Sequence, residues 1–133
     1  MDANLLNGLS LAYIGDAIYE VYIRKYILSL GYSNVNKLHK KVCEFTSGVS
    51  QSKFIRYFLD NNILNEDEEA IYKRGRNSHN HSVRKNIDIQ TYMEATGFEA
   101  IIGYLYLNSN IRRIEQLINI CININKEVAN GKA

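Results

Sequence analysis

The sequence predicts an all-α domain, a single helical bundle. Three observations point there. The 133 residues include no proline, the residue that most strongly interrupts helices. Apolar residues make up 46% of the chain and fall into segments of helix length. The two-residue alternation expected of half-buried strands is weak throughout. The length suits one domain spanning residues 1–133, able to bury roughly two-thirds of the surface an unfolded chain exposes. No internal repeat or linker interrupts it.

The elements follow in order. Residues 1–8 are a short polar start in which Asn7-Gly8 reads as a turn. A first long helix over about 9–30 carries Leu9, Ala12, Tyr13, Ala17, Val21, Ile27 and Leu30, with Ile14, Ile18, Tyr22, Ile23 and Tyr26 filling much of the rest. It is apolar over more than half its circumference, which places it near the centre of the bundle. Gly31 ends it, and Ser33-Asn34 offers caps for a second helix over about 35–46. That helix sets Leu38, Val42 and Phe45 against Lys37, Lys40 and Lys41. Thr46 to Ser50 reads as a break. A third helix over about 50–61 has a stripe of Phe54, Ile55, Phe58 and Leu59. Asn65 caps a fourth, whose first turn, Glu66-Asp67-Glu68-Glu69, suits the positive end of a helix dipole and reads as solvated. A fifth helix runs from about Thr91 to Asn108 and a sixth over about 111–128, with Ile114, Leu117, Ile118, Cys121 and Ile122 inward. The tail, about 129–133, is expected to be disordered.

Several classes are excluded. No apolar run reaches the roughly 18 residues of a membrane span, and the start lacks the basic and apolar regions of a secretory signal. Cys43 and Cys121 fit no metal spacing and read as buried free thiols of a reducing compartment, the cytoplasm. A net charge of +2 points to no partner; its distribution does.

Two long apolar helices each hold an isolated carboxylate beside glycine: Gly15-Asp16, and Glu99 between Gly97 and Gly103. A mid-helix glycine costs about 1 kcal/mol against alanine, and one use for it is close approach of two helix backbones. If the helices cross there, Asp16 and Glu99 form a half-open oxygen site of the kind Mg²⁺ takes, with water and a substrate phosphate completing the shell. Glu20, one turn beyond Asp16, is a further candidate ligand. The competing reading pairs each acid with Arg24, Lys25 or a tyrosine.

From Lys73 to Lys85 the chain holds five Lys or Arg and no acid. This reads as a helix tail followed by an exposed, mobile basic loop, about 75–88. Lys73, Arg74, Arg76, Arg84 and Lys85 make a footprint for a phosphate backbone, with Asn77 as a hydrogen-bonding partner. His79 and His81, two residues apart, do not share a helix face and are not taken as ligands. Most of the ten tyrosines are expected in the core or in a homodimer seam with the hydroxyl on a polar partner.

Leu11-Ala12-Tyr13-Ile14-Gly15-Asp16-Ala17 resembles the signature segment of ribonuclease III catalytic domains, and Phe98-Glu99-Ala100-Ile101-Ile102-Gly103 resembles that family's second acidic motif. With Lys73-Arg74-Gly75-Arg76-Asn77 and Gln90-Thr91-Tyr92, and with no room for a double-stranded-RNA-binding module, the chain is similar to the family's Mini-ribonuclease III branch over about residues 5–125. The resemblance implies an all-α homodimer that cleaves double-stranded RNA with Mg²⁺, for which Mn²⁺ can substitute. It implies maturation of large-subunit (23S) ribosomal RNA precursors. Asp16 and Glu99 would be the catalytic metal ligands. Metal-activated water would attack the phosphodiester in line, leaving 5′-phosphate and 3′-hydroxyl ends.

The sequence also departs from the full-length enzymes. Leu9, Ala12 and Thr96 stand where those carry acids. One firmly held Mg²⁺ is therefore expected, with any second ion recruited by RNA phosphates. The missing acids sustain a second reading, a catalytically inactive helical module that holds structured RNA during ribosome assembly.

Overall fold

A computed structural model describes residues 1–78 and 88–131. The described residues form six α-helices: α1 (Gly8–Ser29), α2 (Val35–Thr46), α3 (Gly48–Asp60), α4 (Glu66–Arg76), α5 (Ile89–Leu107) and α6 (Ile111–Ala129). A single 3-10 turn, Ala3–Leu5, precedes them. The all-α expectation holds: no strand occurs among the described residues.

Local chemistry sets each boundary. Asn7 is the N-cap of α1, its side chain accepting from the Ser10 N–H at 2.8 Å, so the expected turn there is a cap. Gly31, at φ +93°, follows the end of α1 as expected. Asn34 caps α2. The expected break at 46–50 narrows to Ser47, which closes α2 and caps α3. Asn65 and Glu68 form a reciprocal capping box at the start of α4. Asp88 caps α5, which begins at Ile89, two residues ahead of the predicted start, and accepts from the Thr91 N–H and hydroxyl. The basic segment expected to be loop from residue 75 is helical through Arg76; residues 79–87, with His79, His81, Arg84 and Lys85, lie outside the described residues. At the other end, α6 runs to Ala129, into the tail expected to be disordered.

The central helix is α5, not α1. It packs against α1, α4, α3 and α6 and is buried nearly all round, from Thr91 through Leu105. By contrast, α1 buries Leu11, Ala12, Gly15, Tyr19, Ile23 and Ile27 but leaves Tyr13, Val21 and Leu28 83%, 62% and 58% exposed. The width of an apolar stripe states how much surface wants covering, not what covers it. Between these helices lies an aromatic core in which Tyr19 meets Phe98 edge-on, ring centres 5.0 Å apart. The Tyr19 hydroxyl donates to the Phe45 carbonyl at 2.8 Å, as expected for a buried tyrosine.

One acid and one thiol also differ from expectation. Glu68, read as part of a solvated turn, is 1% exposed. Arg113 donates to both its oxygens, at 2.8 and 2.9 Å, which offsets the burial of its charge. Cys121 is buried, as expected, but Cys43 is exposed.

Candidate active site

The site begins at the contact of α1 with α5. A β-carbon on Gly15 would overlap the Glu99 carbonyl oxygen and come within 2.8 Å of the Gly103 nitrogen. One on Gly103 would overlap the Leu11 carbonyl oxygen and come within 2.9 Å of the Ile14 side chain. The two helices thus touch backbone to backbone, as expected of Gly15 and Gly103; Gly97 instead faces Tyr72 of α4, so it serves a different helix contact. The α1–α5 contact sets Asp16, the neighbour of Gly15, beside the turn of α5 that carries Glu99.

Both carboxylates line one open cavity of about 340 Å³. Thr46 and Gly48, at the α2–α3 junction, and Gln51 of α3 close one side, and Tyr92 and Thr96 of α5 another. Asp16 is exposed rather than buried in the core, and among the described residues it makes no hydrogen bond or ion pair. Glu99 is half-buried and accepts from the Gln51 amide nitrogen at 3.4 Å. Leu9, Ala12 and Thr96, the three positions where acids are missing, line this same cavity.

Glu20 does not reach the cavity. Its carboxylate lies 2.7 Å from Arg24 Nη2, the type of pairing that the competing reading assigned to these acids. Four residues along a helix put Glu20 on the same face as Asp16, one turn on, but its carboxylate is taken up by Arg24.

The fourth acid on these two long helices, Glu94, has a structural role. It is buried, and it accepts from Ser52 at 2.6 Å and from Arg56 at 2.8–3.2 Å. Burial by itself pushes its pKa up, but the hydrogen bonds from Arg56 and Ser52 and the Arg56 charge outweigh that and hold it below the ordinary 4.5. In sequence Glu94 looks like Glu99, an acid inside an apolar helix. The pairing with Arg56, 38 residues away, is not visible there.

Of the basic residues, Arg76 and Asn77 are exposed at the end of α4. Lys73 stands 4.0 Å from Glu69. Arg74 is engaged: its Nη1 donates to the Asn4 and Leu6 carbonyls at 2.9 and 3.0 Å, tying the N-terminal turn to α4.

No group of three or more His, Cys, Asp or Glu among the described residues forms a metal cluster. The donors at the cavity are two carboxylates with neutral amide and hydroxyl groups around them. The two carboxylates are hard oxygen donors, and the cavity is open to water. That set fits Mg²⁺, which keeps several waters and takes one or two protein carboxylates; it does not fit a metal that needs a full protein cage.

Comparison with known proteins gives the class of this all-α domain, a nuclease domain. The family profile of the ribonuclease III domain matches residues 9–110. Mini-ribonuclease 3 of Enterococcus faecalis is 49% identical over 121 residues, 91% of this chain and 92% of that protein. Mini-ribonuclease 3 of Clostridium tetani is 47% identical over 127 residues, 95% and 83% of the two chains. A crystal structure of a protein from Fusobacterium nucleatum, 39% identical, superimposes with a TM-score of 0.83 over 92% of this chain and 98% of that one. The chain belongs to the ribonuclease III family, in its Mini-ribonuclease 3 group. It is an endoribonuclease, a hydrolase of phosphodiester bonds. No helix among the described residues is long and apolar enough to cross a membrane.

Proposed function

We propose that this endoribonuclease cleaves double-stranded RNA in a Mg²⁺-dependent reaction, as a cytoplasmic homodimer of single-domain chains, and matures the ends of the 23S ribosomal RNA precursor. The observation that carries the reading is that Asp16 and Glu99, 83 positions apart, line one cavity at the crossing of α1 and α5. They are the residues that would hold the ion. Such an ion supplies activation of water at neutral pH and neutralises charge developing on a phosphate.

The chain's own groups do the rest. Asp16, exposed at the rim, presents its carboxylate where a duplex backbone can approach. Glu99 is held from behind by the Gln51 amide. Neutral Leu9, Ala12 and Thr96 leave the cavity with less negative charge than the full-length enzymes carry, so an RNA phosphate enters against weaker repulsion. Affinity for the duplex comes from Lys73, Arg74, Arg76, Asn77, Arg84 and Lys85, through phosphate and 2′-hydroxyl contacts that read shape rather than sequence. The dimer is supported by the uncovered ridge of α1.

The test is incubation of duplex RNA with the protein in Mg²⁺ or in EDTA, beside Asp16→Asn. Cutting in Mg²⁺ alone, lost in the variant, is expected. Metal-independent cutting, or full activity in Asp16→Asn, overturns the assignment of the site. A ribosomal RNA precursor, compared with an unrelated duplex of equal length, tests the substrate.

A further inference from the structure

Gln51 is 2% exposed, yet it is polar and reaches the cavity that Asp16 and Glu99 share. A buried amide has to place its donors. Its Nε2 lies 3.4 Å from the Thr46 carbonyl oxygen and 3.4 Å from Glu99 Oε2. The amide carries two N–H groups, one for each acceptor. Turned over, it would set its own oxygen against a carbonyl and a carboxylate, so the network fixes its orientation. Thr46 is the last residue of α2, where backbone carbonyls lack helical partners. Gln51 is therefore anchored on one helix end while it holds a carboxylate of another helix. The hydroxyl of Thr96 cannot share this task, because it donates to the Tyr92 carbonyl at 3.0 Å.

We propose that Gln51 is a positioning residue: through Nε2 it fixes the Glu99 carboxylate in the orientation that receives the divalent ion. The proposal rests on the reading of Asp16 and Glu99 as that ion's ligands. A carboxylate already ordered loses less rotational freedom when it binds. The residue type follows from charge and length. Lysine or arginine would compete with the ion for the carboxylate, and glutamate would repel Glu99. Glutamine is the neutral side chain long enough to reach from α3 with two donors.

The experiment titrates Mn²⁺ into the RNA-free protein, read by electron paramagnetic resonance, for wild type, Gln51→Met, Glu99→Gln and the double variant. Methionine keeps the length without the donors. Gln51→Met is expected to weaken Mn²⁺ binding about ten-fold and to lower kcat on duplex RNA by a similar factor, with KM for RNA within about twofold of wild type. In the Glu99→Gln background the same substitution should cost nothing further, because the amide acts through that carboxylate. Unchanged Mn²⁺ affinity in Gln51→Met, or an equal further loss in the double variant, overturns the proposal. Should Gln51→Met fail to fold, Gln51→Asn, whose amide is one methylene too short, is judged by the same titration. If wild type and Glu99→Gln bind Mn²⁺ equally, the metal reading itself has failed. If only Glu99→Gln loses affinity, the role of Gln51 alone is wrong.

Discussion

The carbonyl oxygen of Glu99 occupies the place where a β-carbon on residue 15 would have to be. The glycine before the first acid is thus matched to the backbone of the residue that supplies the second. Packing and chemistry meet at one point: whatever separates α1 from α5 also separates the two carboxylates.

Gly15→Ala is accordingly expected to destabilise the domain by about 3 kcal/mol, at the upper end of overpacking costs, since the obstacle is backbone rather than a side chain that can turn. Gly31 provides the contrast. A β-carbon there meets nothing within 4 Å, and its positive φ alone makes alanine unfavourable, by about 1 kcal/mol. Urea midpoints and cleavage rates separate the two. Gly15→Ala should lose cleavage even where it remains folded, and Gly31→Ala should keep it. Equal, mild effects on both would remove the helix crossing from the account.

Stability at acid pH should depend on Glu94. Its folded pKa lies below the ordinary 4.5, so between the two values the native carboxylate stays ionised while the unfolded chain has bound a proton. The stabilisation is therefore full above pH 4.5 and is lost as pH falls through the lower folded value. In urea melts of wild type and Glu94→Gln, the difference between them should shrink as pH drops below 4.5. A gap that stays constant down to pH 3 would contradict this.

Arg74 and Arg76 stand two residues apart in the basic segment but differ in what they hold. Arg76→Ala is expected to weaken duplex binding and to flatten the logarithmic salt dependence by about 1, with an unchanged melting temperature. Arg74→Ala removes two hydrogen bonds to the N-terminal turn and should also lower stability, by about 1 kcal/mol. Salt titrations of binding, run beside thermal melts, check both. An unchanged slope in Arg76→Ala removes that side chain from the RNA interface.

Along α1, Leu9, Tyr13, Ala17 and Val21 recur every four residues on the uncovered face, and Leu28 continues it. Such a ridge is the kind of surface a second copy covers. Val21→Glu, at its middle, should convert a dimer to monomers in sedimentation. A variant that sediments like wild type places the seam elsewhere.

The sequence by itself determined the helices and singled out the two acids that come to line one cavity. Lack of proline, asparagine and serine caps, and apolar spacing set all six helices to within a few residues, because these are local effects of the backbone. Gly15 and Gly103 announced the close crossing of α1 and α5, whereas Gly97, which reads the same in sequence, packs on Tyr72 of α4. Tertiary structure decided which helix lies at the centre, which acids are neutralised and which face the cavity. Glu20, Glu94 and Glu99 all read as carboxylates on apolar helices, but Arg24 takes the first, Arg56 and Ser52 the second, and only the third reaches the space beside Asp16. The last two outcomes depend on which side chains of distant segments come within about 3 Å of a carboxylate, a property of packing that no single stretch of chain encodes.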